Sequence, residues 1–518
     1  MPLSDLPNEL DMHVATYLDK TNLLSLCLVS KHWLTVAKPP LFVEVELTSR
    51  SGLQAKILLL NLLKYPRLAK KIKVINVYLL YWENVWEDQD VLKEEKACSR
   101  QEEENPDLWA RKVALLDDFW PHSKTIEKVV NSAWPSLVGK EKIFQELKAL
   151  EPELYPCLAV ILGMAVNVEF LQVPIDPNSD PTFDAVLSYH QPNKTDASGE
   201  PRPLSKLRKF VRKCRPRLEN GSFVNTWAPL PTEVEDITLT NHNINQFEFP
   251  IPQSEGYFPR SSVPFYTRLS NIQISPRLRH LELNKIGIDP IHLLHVLSAT
   301  GYFQELRTLI LTKVCDPEQW YNTENVKQLT LGLSTAVPHL EHFELEVWWD
   351  RPHPTMAHSS PPDTQTSFGS LKGNTSLGSI HVELGVVIDT SADDAIFNFV
   401  SIAETVLPTS VTKIFFKEVK WTFLEDLADS LVHPDDHNAI SEFLAHLPQC
   451  KKLVFAQCVG SGLSSHAIQV FDTIEDKLRD SGISFRIDWD DEDSMDIDED
   501  DDDDDDLSGP PPRLVYLR

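Results

Sequence analysis

The pattern Leu-x-x-Leu-x-Leu, with conservative replacements, recurs through the C-terminal half at Leu278/Leu281/Leu283, Leu306/Leu309/Leu311, Leu340/Phe343/Leu345, Leu377/Ile380/Val382, Val411/Ile414/Phe416 and Cys450/Leu453/Phe455. Alternation of the last two apolar positions with their neighbours is the period of a strand whose one face is buried. Successive units start 28, 34, 37, 34 and 39 residues apart. Helix-like segments such as "ADDAIFNFVSIAETVL" and "SSHAIQVFDTIEDKL" fill the gaps. One strand and one helix cannot bury an apolar face alone, so neighbouring units must stack on one another. The expected class is α/β, with parallel strands and helices. Weaker copies at Val168/Leu171/Val173 and Val234/Ile237/Leu239 start the array earlier. An ordinary α/β domain with unrelated buried strands gives the same class.

The spacing resembles that of leucine-rich repeat proteins, with departures. The usual Asn or Cys three residues after the last Leu is present only as Cys458, and the gaps exceed the common ~20 to 29 residues. The resemblance implies an irregular solenoid whose strands line a concave face, with the residues between the Leu positions pointing outward. That face is expected to include Glu282, Asn284, Ile310, Thr312, His342, Glu344, Glu346, His381, Glu383, Lys413, Phe415, Lys417, Lys452 and Val454. Its early units are acidic and its later ones basic, which suits a protein substrate with a basic and an acidic segment. Glu282, His342, Glu344, His381, Phe415 and Lys417 are the candidate substrate contacts, with Phe415 as the apolar anchor.

The N-terminal forty residues read differently. Leu6, Leu10, Val14 and Leu18 recur every four residues, Pro7 suits a first helical turn, and Thr21 and Ser30 can cap two further short helices. Half of the residues from Leu3 to Phe42 are apolar, more than three such helices can bury among themselves. The surplus implies a protein interface. The segment "LSDLPNELDMHVATYLDKTNLLSLCLVSKHWLTVAKPPLF" resembles an F-box, through Leu6, Pro7, Glu9 and Leu10, then Leu23, Leu24 and Leu26, then Val29, Lys31 and Trp33, and a closing Pro40, Leu41 and Phe42. The resemblance implies docking on the Skp-type adaptor of a cullin-RING ubiquitin ligase, with Leu6, Pro7, Leu10, Leu26, Val29 and Trp33 as adaptor contacts. It implies a substrate-recognition subunit, non-catalytic in itself. An adaptor-binding scaffold or assembly factor outside ubiquitination is the alternative.

Composition sharpens the boundaries. The chain of 518 residues has 49 Lys and Arg against 77 Asp and Glu, a net charge of -28, of which 15 carboxylates lie within residues 488–506. The expected division is an F-box at 3–47, a mixed helical region with early irregular repeats at 48–232, the repeat domain at 233–489 and a disordered acidic, Pro-rich tail at 490–518. Residues 83–107 read as a charged insert and 350–376 as a long disordered loop. Seven scattered Cys without a CxxC pair, no apolar leader and no membrane-length apolar run point to the cytosol or nucleus, away from any membrane.

Glycine-rich phosphate loops, HExxH, GxSxG and zinc-spaced Cys clusters are all missing, so neither catalysis nor a cofactor is expected. His339 and His342 read as surface residues on opposite faces of a strand. "RPLSKLRKFVRKCRPR" (202–217) reads as a solvated basic loop or helix, with an anionic peptide, a nuclear import receptor or nucleic acid as the alternative partners for its charge. It carries only Phe210 as a stacking aromatic, which disfavours nucleic acid as a partner.

Overall fold

The computed structural model describes residues 8–48, 52–78, 114, most of 118–148, 154–175, 186–187, 202–214, 234–240, 278–284, 290–298, 303–314, 323–347, 368–387, 395–431 apart from 418, 439–458 and 463–489. Leu6, Pro7, the charged insert, most of the 350–376 loop and the acidic tail lie outside them.

Three helices come first: α1 (Asn8–Ala15), α2 (Lys20–Val29) and α3 (Lys31–Leu41). Ser30 caps α3 as expected, accepting from the Trp33 N–H. The α2 cap is Asp19 rather than Thr21, because Asp19 stands two residues earlier and its carboxylate accepts from Asn22 N at 2.8 Å. Within α1 the inward residues are Asp11 and Ala15, not the Leu10/Val14 stripe. Asp11 tolerates burial because His32 Nε2 lies 2.8 Å from its Oδ2. The interior of this block is small: Ala15, Leu23, Val36 and Ala37, with Leu18, Leu26, Cys27, Trp33 and Leu41 packed around them.

Two residues after α3 the chain enters a mixed α/β region built on one sheet. Among the described residues that sheet has 12 strands: β1 (Glu44–Thr48), β2 (Val74–Tyr78), β3 (Phe170–Ile175), β4 (Lys209–Cys214), β5 (Asp236–Thr240), β6 (His280–Asn284), β7 (Thr308–Val314), β8 (His342–Val347), β9 (Ser379–Glu383), β10 (Lys413–Lys417), β11 (Lys452–Cys458) and β12 (Ser484–Trp489). Each strand pairs in parallel with the next in the sequence, and the spatial order equals the chain order. Parallel neighbours require a crossover. Helices such as Leu154–Met164, Thr323–Ala336, Ala395–Thr405 and Ser465–Asp480 lie in these crossovers.

A backbone ladder keeps the coils in register. The carbonyl just before each of β1 to β10 accepts two N–H groups from the entry to the next strand: Arg307 O takes Glu341 N and His342 N at 2.7 and 2.9 Å, and Glu341 O takes Gly378 N and Ser379 N at 2.9 and 3.0 Å. The same relation runs from Val43 O, which receives Lys73 N and Val74 N, to Thr412 O, which receives Lys451 N and Lys452 N. Inside the sheet the Leu-x-x-Leu-x-Leu residues from Leu278 to Phe455 are buried, none more than 5% exposed. One continuous apolar cluster runs from Val45 to Phe485.

Strands β1, β2, β4 and β12 extend the array beyond the units recognised from the pattern. The basic stretch at 202–217 is in part a strand, not a solvated loop or helix: Phe210 is fully buried and Lys209 Nζ pairs with Asp236 at 3.2 Å on β5. The compositional boundary at 233 falls between β4 and β5, which pair through five residues of one sheet. The end of the 350–376 segment is packed rather than loose. Phe368 and Leu371 are buried, Gly369 N donates to Thr330 Oγ1 at 2.7 Å, and the Asn374 amide donates to Val337 O at 3.2 Å. Among the described residues no helix is long and apolar enough to cross a membrane.

Candidate functional site

Two surfaces stand out, one on the helical block and one on the sheet. On the block, burying Asp11 and Ala15 turns Leu10, Met12 and Val14 outward, each close to half exposed. Tyr17, Leu28, Val29 and Leu34 join them, with Leu28 at 88% and Val29 at 68%. Such a density of outward apolar groups on so small a core is the property of a surface built to be covered. Of the residues singled out from sequence, Leu10 and Val29 lie on this surface. Leu26 and Trp33 are half-buried against the block's interior, and Leu6 and Pro7 are outside the described residues. Met12, Tyr17, Leu28 and Leu34 were missed. Met12 follows from the i, i+4 pair Asp11/Ala15, which sets which way α1 turns.

The block is held to the sheet through a short junction. Phe42 packs on the main apolar cluster, Lys20 Nζ meets Glu46 Oε2 at 2.8 Å, and Lys38 sits 3.9 Å from the centre of the Tyr65 ring.

On the sheet, the outward residues of β8 to β10 form a connected polar cluster. Register places Glu344 beside His381 and His381 beside Phe415. His342 Nε2 and His381 Nδ1 lie 3.6 and 3.5 Å from Glu344 Oε2, while Lys417 Nζ reaches Glu344 Oε1 at 2.7 Å and Glu346 Oε2 at 3.1 Å. The Phe415 ring packs against His381 at 4.1 Å, and Lys452 lies over Phe415 at 4.8 Å. Burial pushes the Glu344 pKa up, but hydrogen bonds from His342, His381 and Lys417, with the Lys417 charge, outweigh it and hold the carboxyl far below the usual range. Burial lowers the Lys417 pKa, yet Glu344 and Glu346 raise it overall.

Five of the six candidate substrate contacts, His342, Glu344, His381, Phe415 and Lys417, therefore come together. Glu282 stands apart on β6, with Ile310 of β7 between it and Glu344. Its carboxyl is also held low, chiefly by the hydrogen bond from His280 and further by that from Thr238 Oγ1 at 3.1 Å. The expected run from acidic to basic units is mostly cancelled at this cluster, since Lys417 is bound by two carboxylates of β8. Among the residues expected to point outward Lys413 is exposed, whereas Glu383 and Val454 are buried. His339 and His342 do not sit on opposite faces of one strand: His339 precedes β8 and is exposed, while His342 opens the strand and turns into the cluster.

Three short helices with an undersized interior and an apolar exterior are carried on an α/β body. Residues 3–45 match the family model described as F-box-like, so the helical block is an F-box-like domain at the head of the chain. F-box domains in general are non-catalytic, adaptor-binding components of SCF ubiquitin ligases, joined through a Skp-type adaptor to a cullin. No curated protein matches the chain.

Proposed function

We propose that this chain is the substrate-recognition subunit of an SCF-type ubiquitin ligase, with the outward apolar residues of α1 to α3 docking on the adaptor and a protein substrate held by the sheet. The observation that carries this reading is the exposed set Leu10, Met12, Val29, Leu28 and Leu34 on a block whose own core is four residues. We read the sheet as a leucine-rich-repeat-like solenoid, supported by the two-bond ladder that repeats coil by coil. The substrate face comprises Glu282, His342, Glu344, His381, Phe415 and Lys417. The body begins at β1, and α3 passes into it with only Phe42 and Val43 between. A short, packed junction suits a receptor, because its contribution to catalysis is proximity. Holding a substrate lysine near an activated thioester makes the transfer effectively intramolecular. The cytosol or nucleus, where this machinery works, is the proposed location.

Docking is tested on residues whose loss leaves the block folded. Leu26 and Trp33 pack on the interior, so their truncation mixes folding with binding. Leu28→Asp with Val29→Asp removes exposed groups only. The double variant is expected to bind a Skp-type adaptor at least about thirty-fold more weakly, since ~1.4 kcal/mol is tenfold and buried anchors contribute ~2 kcal/mol or more. Its helical circular dichroism should be unchanged. Adaptor affinity equal to that of the unaltered chain would refute the docking face. Adaptor capture without cullin, and without substrate ubiquitination, would favour the scaffold alternative.

A further inference from the structure

We infer that His342, Glu344 and His381 form a binding site for a divalent transition-metal ion, zinc above all, on the outward face of β8 and β9. Three donor atoms converge there. Ligand atoms of His342, Glu344 and His381, one from each, lie within 4.8 Å of one another, and they are the one such group among the described residues. Zinc bonds of ~2.0 to 2.2 Å at tetrahedral angles place neighbouring donors about 3.4 Å apart. The two His–Glu344 separations, 3.6 and 3.5 Å, are already close to that. Two imidazoles and one carboxylate are a donor set suited to zinc and neighbouring ions rather than to calcium or magnesium, which prefer oxygen alone.

The surroundings hold these donors in place. His342 and Glu344 stand two residues apart on one strand, so the pleat turns both to the same face, and the parallel register sets His381 beside Glu344. Ser379 Oγ lies 3.3 Å from His381 Nε2, which occupies that nitrogen and leaves Nδ1 to face Glu344. This is the outer hydrogen bond that metal-bound imidazoles use to fix their orientation. Phe415 packs against the same ring at a tilt of 49°, and the two imidazoles meet edge to face with centroids 4.7 Å apart. Lys417 fastens Glu344 Oε1, leaving Oε2 for the ion. Its charge opposes a cation, but Glu346 at 3.1 Å shares it, so two carboxylates face one ammonium. The donors are about a fifth exposed or less, with side-chain accessibilities of 22% for His342, 14% for Glu344 and 23% for His381, which leaves an approach and an open position for water or another ligand.

The site does not depend on the ligase reading, and its test uses the metal alone. Chelator-treated full-length chain is titrated with Zn2+ in competition with a chromophoric indicator, beside the His342→Ala/His381→Ala double variant. The unaltered chain should bind one more equivalent than the variant, and Zn2+ should raise its melting temperature but not the variant's. Comparing the two removes contributions from cysteines and the acidic tail. Equal stoichiometry in two folded proteins would overturn the proposal. A second measurement needs no variant: Zn2+ should protect His342 and His381, but not exposed His339 and His466, from diethylpyrocarbonate, read by peptide mass spectrometry. Labelling of all four that is indifferent to Zn2+ would overturn it as well.

Discussion

The helical block and the sheet spend similar residues in opposite ways. In the sheet, Leu, Ile and Phe point into one cluster and the outward face is polar and internally paired, with Lys417 between two carboxylates. In the block, four buried residues make the interior while Leu28 and Val29 lie open. A buried Leu contributes ~1.5 to 3 kcal/mol. The sheet collects that energy on folding, and the block keeps much of it for a partner. Stability should therefore reside in the body and affinity in the block.

The sharpest way to break that division is to damage the body's core and watch the block. Phe399 is fully buried in the C-terminal coils, stacked on Phe443 with centroids 4.5 Å apart and in contact with Phe416, Phe423 and Phe455. Phe399→Ala should lower stability by about 3 to 5 kcal/mol. Adaptor affinity, measured well below the new melting transition, should not move. A matching loss of affinity would mean that the block depends on the body for its shape.

A smaller effect separates the paired face from an ordinary solvated one. Glu344 titrates below its unfolded value near 4.5, so its stabilisation is complete above that pH and is lost as pH falls through the lower, folded value. Glu344→Gln should cost about 1 to 3 kcal/mol at neutral pH, because Lys417 keeps its burial and loses a charged partner. The cost should shrink as the unaltered protein is acidified below pH ~4. Urea midpoints across that range check it, and a cost independent of pH would assign the loss to packing. Substituting Glu344 and Lys417 is thus not neutral for folding.

How much of this was legible depends on where the information sits. The strands from β6 to β11 were readable because their apolar spacing is local and strict. The β1 and β2 coils carry the same spacing, at Phe42/Val45/Leu47 and Ile72/Ile75/Val77, but Phe42 was claimed by the helical motif and the second was not aligned with the later units. In β4 the pattern is incomplete: Leu207 and Phe210 stand at its first two apolar positions, but Arg212, paired in register with Val173 and Leu239, stands at the third, so the segment read as solvated. β12 has Gly482, with φ of +77°, where the pattern wants its first apolar residue. The cluster was legible only in part: the repeat pattern already placed His342, Glu344 and His381 on one outward face, but their convergence as donor atoms depends on the register that sets His381, one strand on, beside Glu344.

The smallest effect concerns the seam between the two regions. Across it run an ion pair, Lys20 to Glu46, whose side chains are about half exposed, and the Lys38 ammonium over Tyr65. Exposed pairs contribute ~0.2 to 1 kcal/mol and a surface cation–π contact ~0.5 to 1 kcal/mol, so Glu46→Ala or Lys38→Ala alone should change stability by less than ~1 kcal/mol. Phe42 ties the same seam through the apolar cluster, so neither loss should separate the regions. The informative quantity is how the losses combine. If block and body melt as one unit, the two substitutions lower one shared transition. If they melt separately, the seam contributes to whichever region unfolds first, and calorimetry should resolve a minor helical transition that both substitutions shift while the main transition stays put. With a core of four residues the block is the weaker partner, so the second pattern is the expected one, and adaptor added in excess should move the minor transition upward toward the main one.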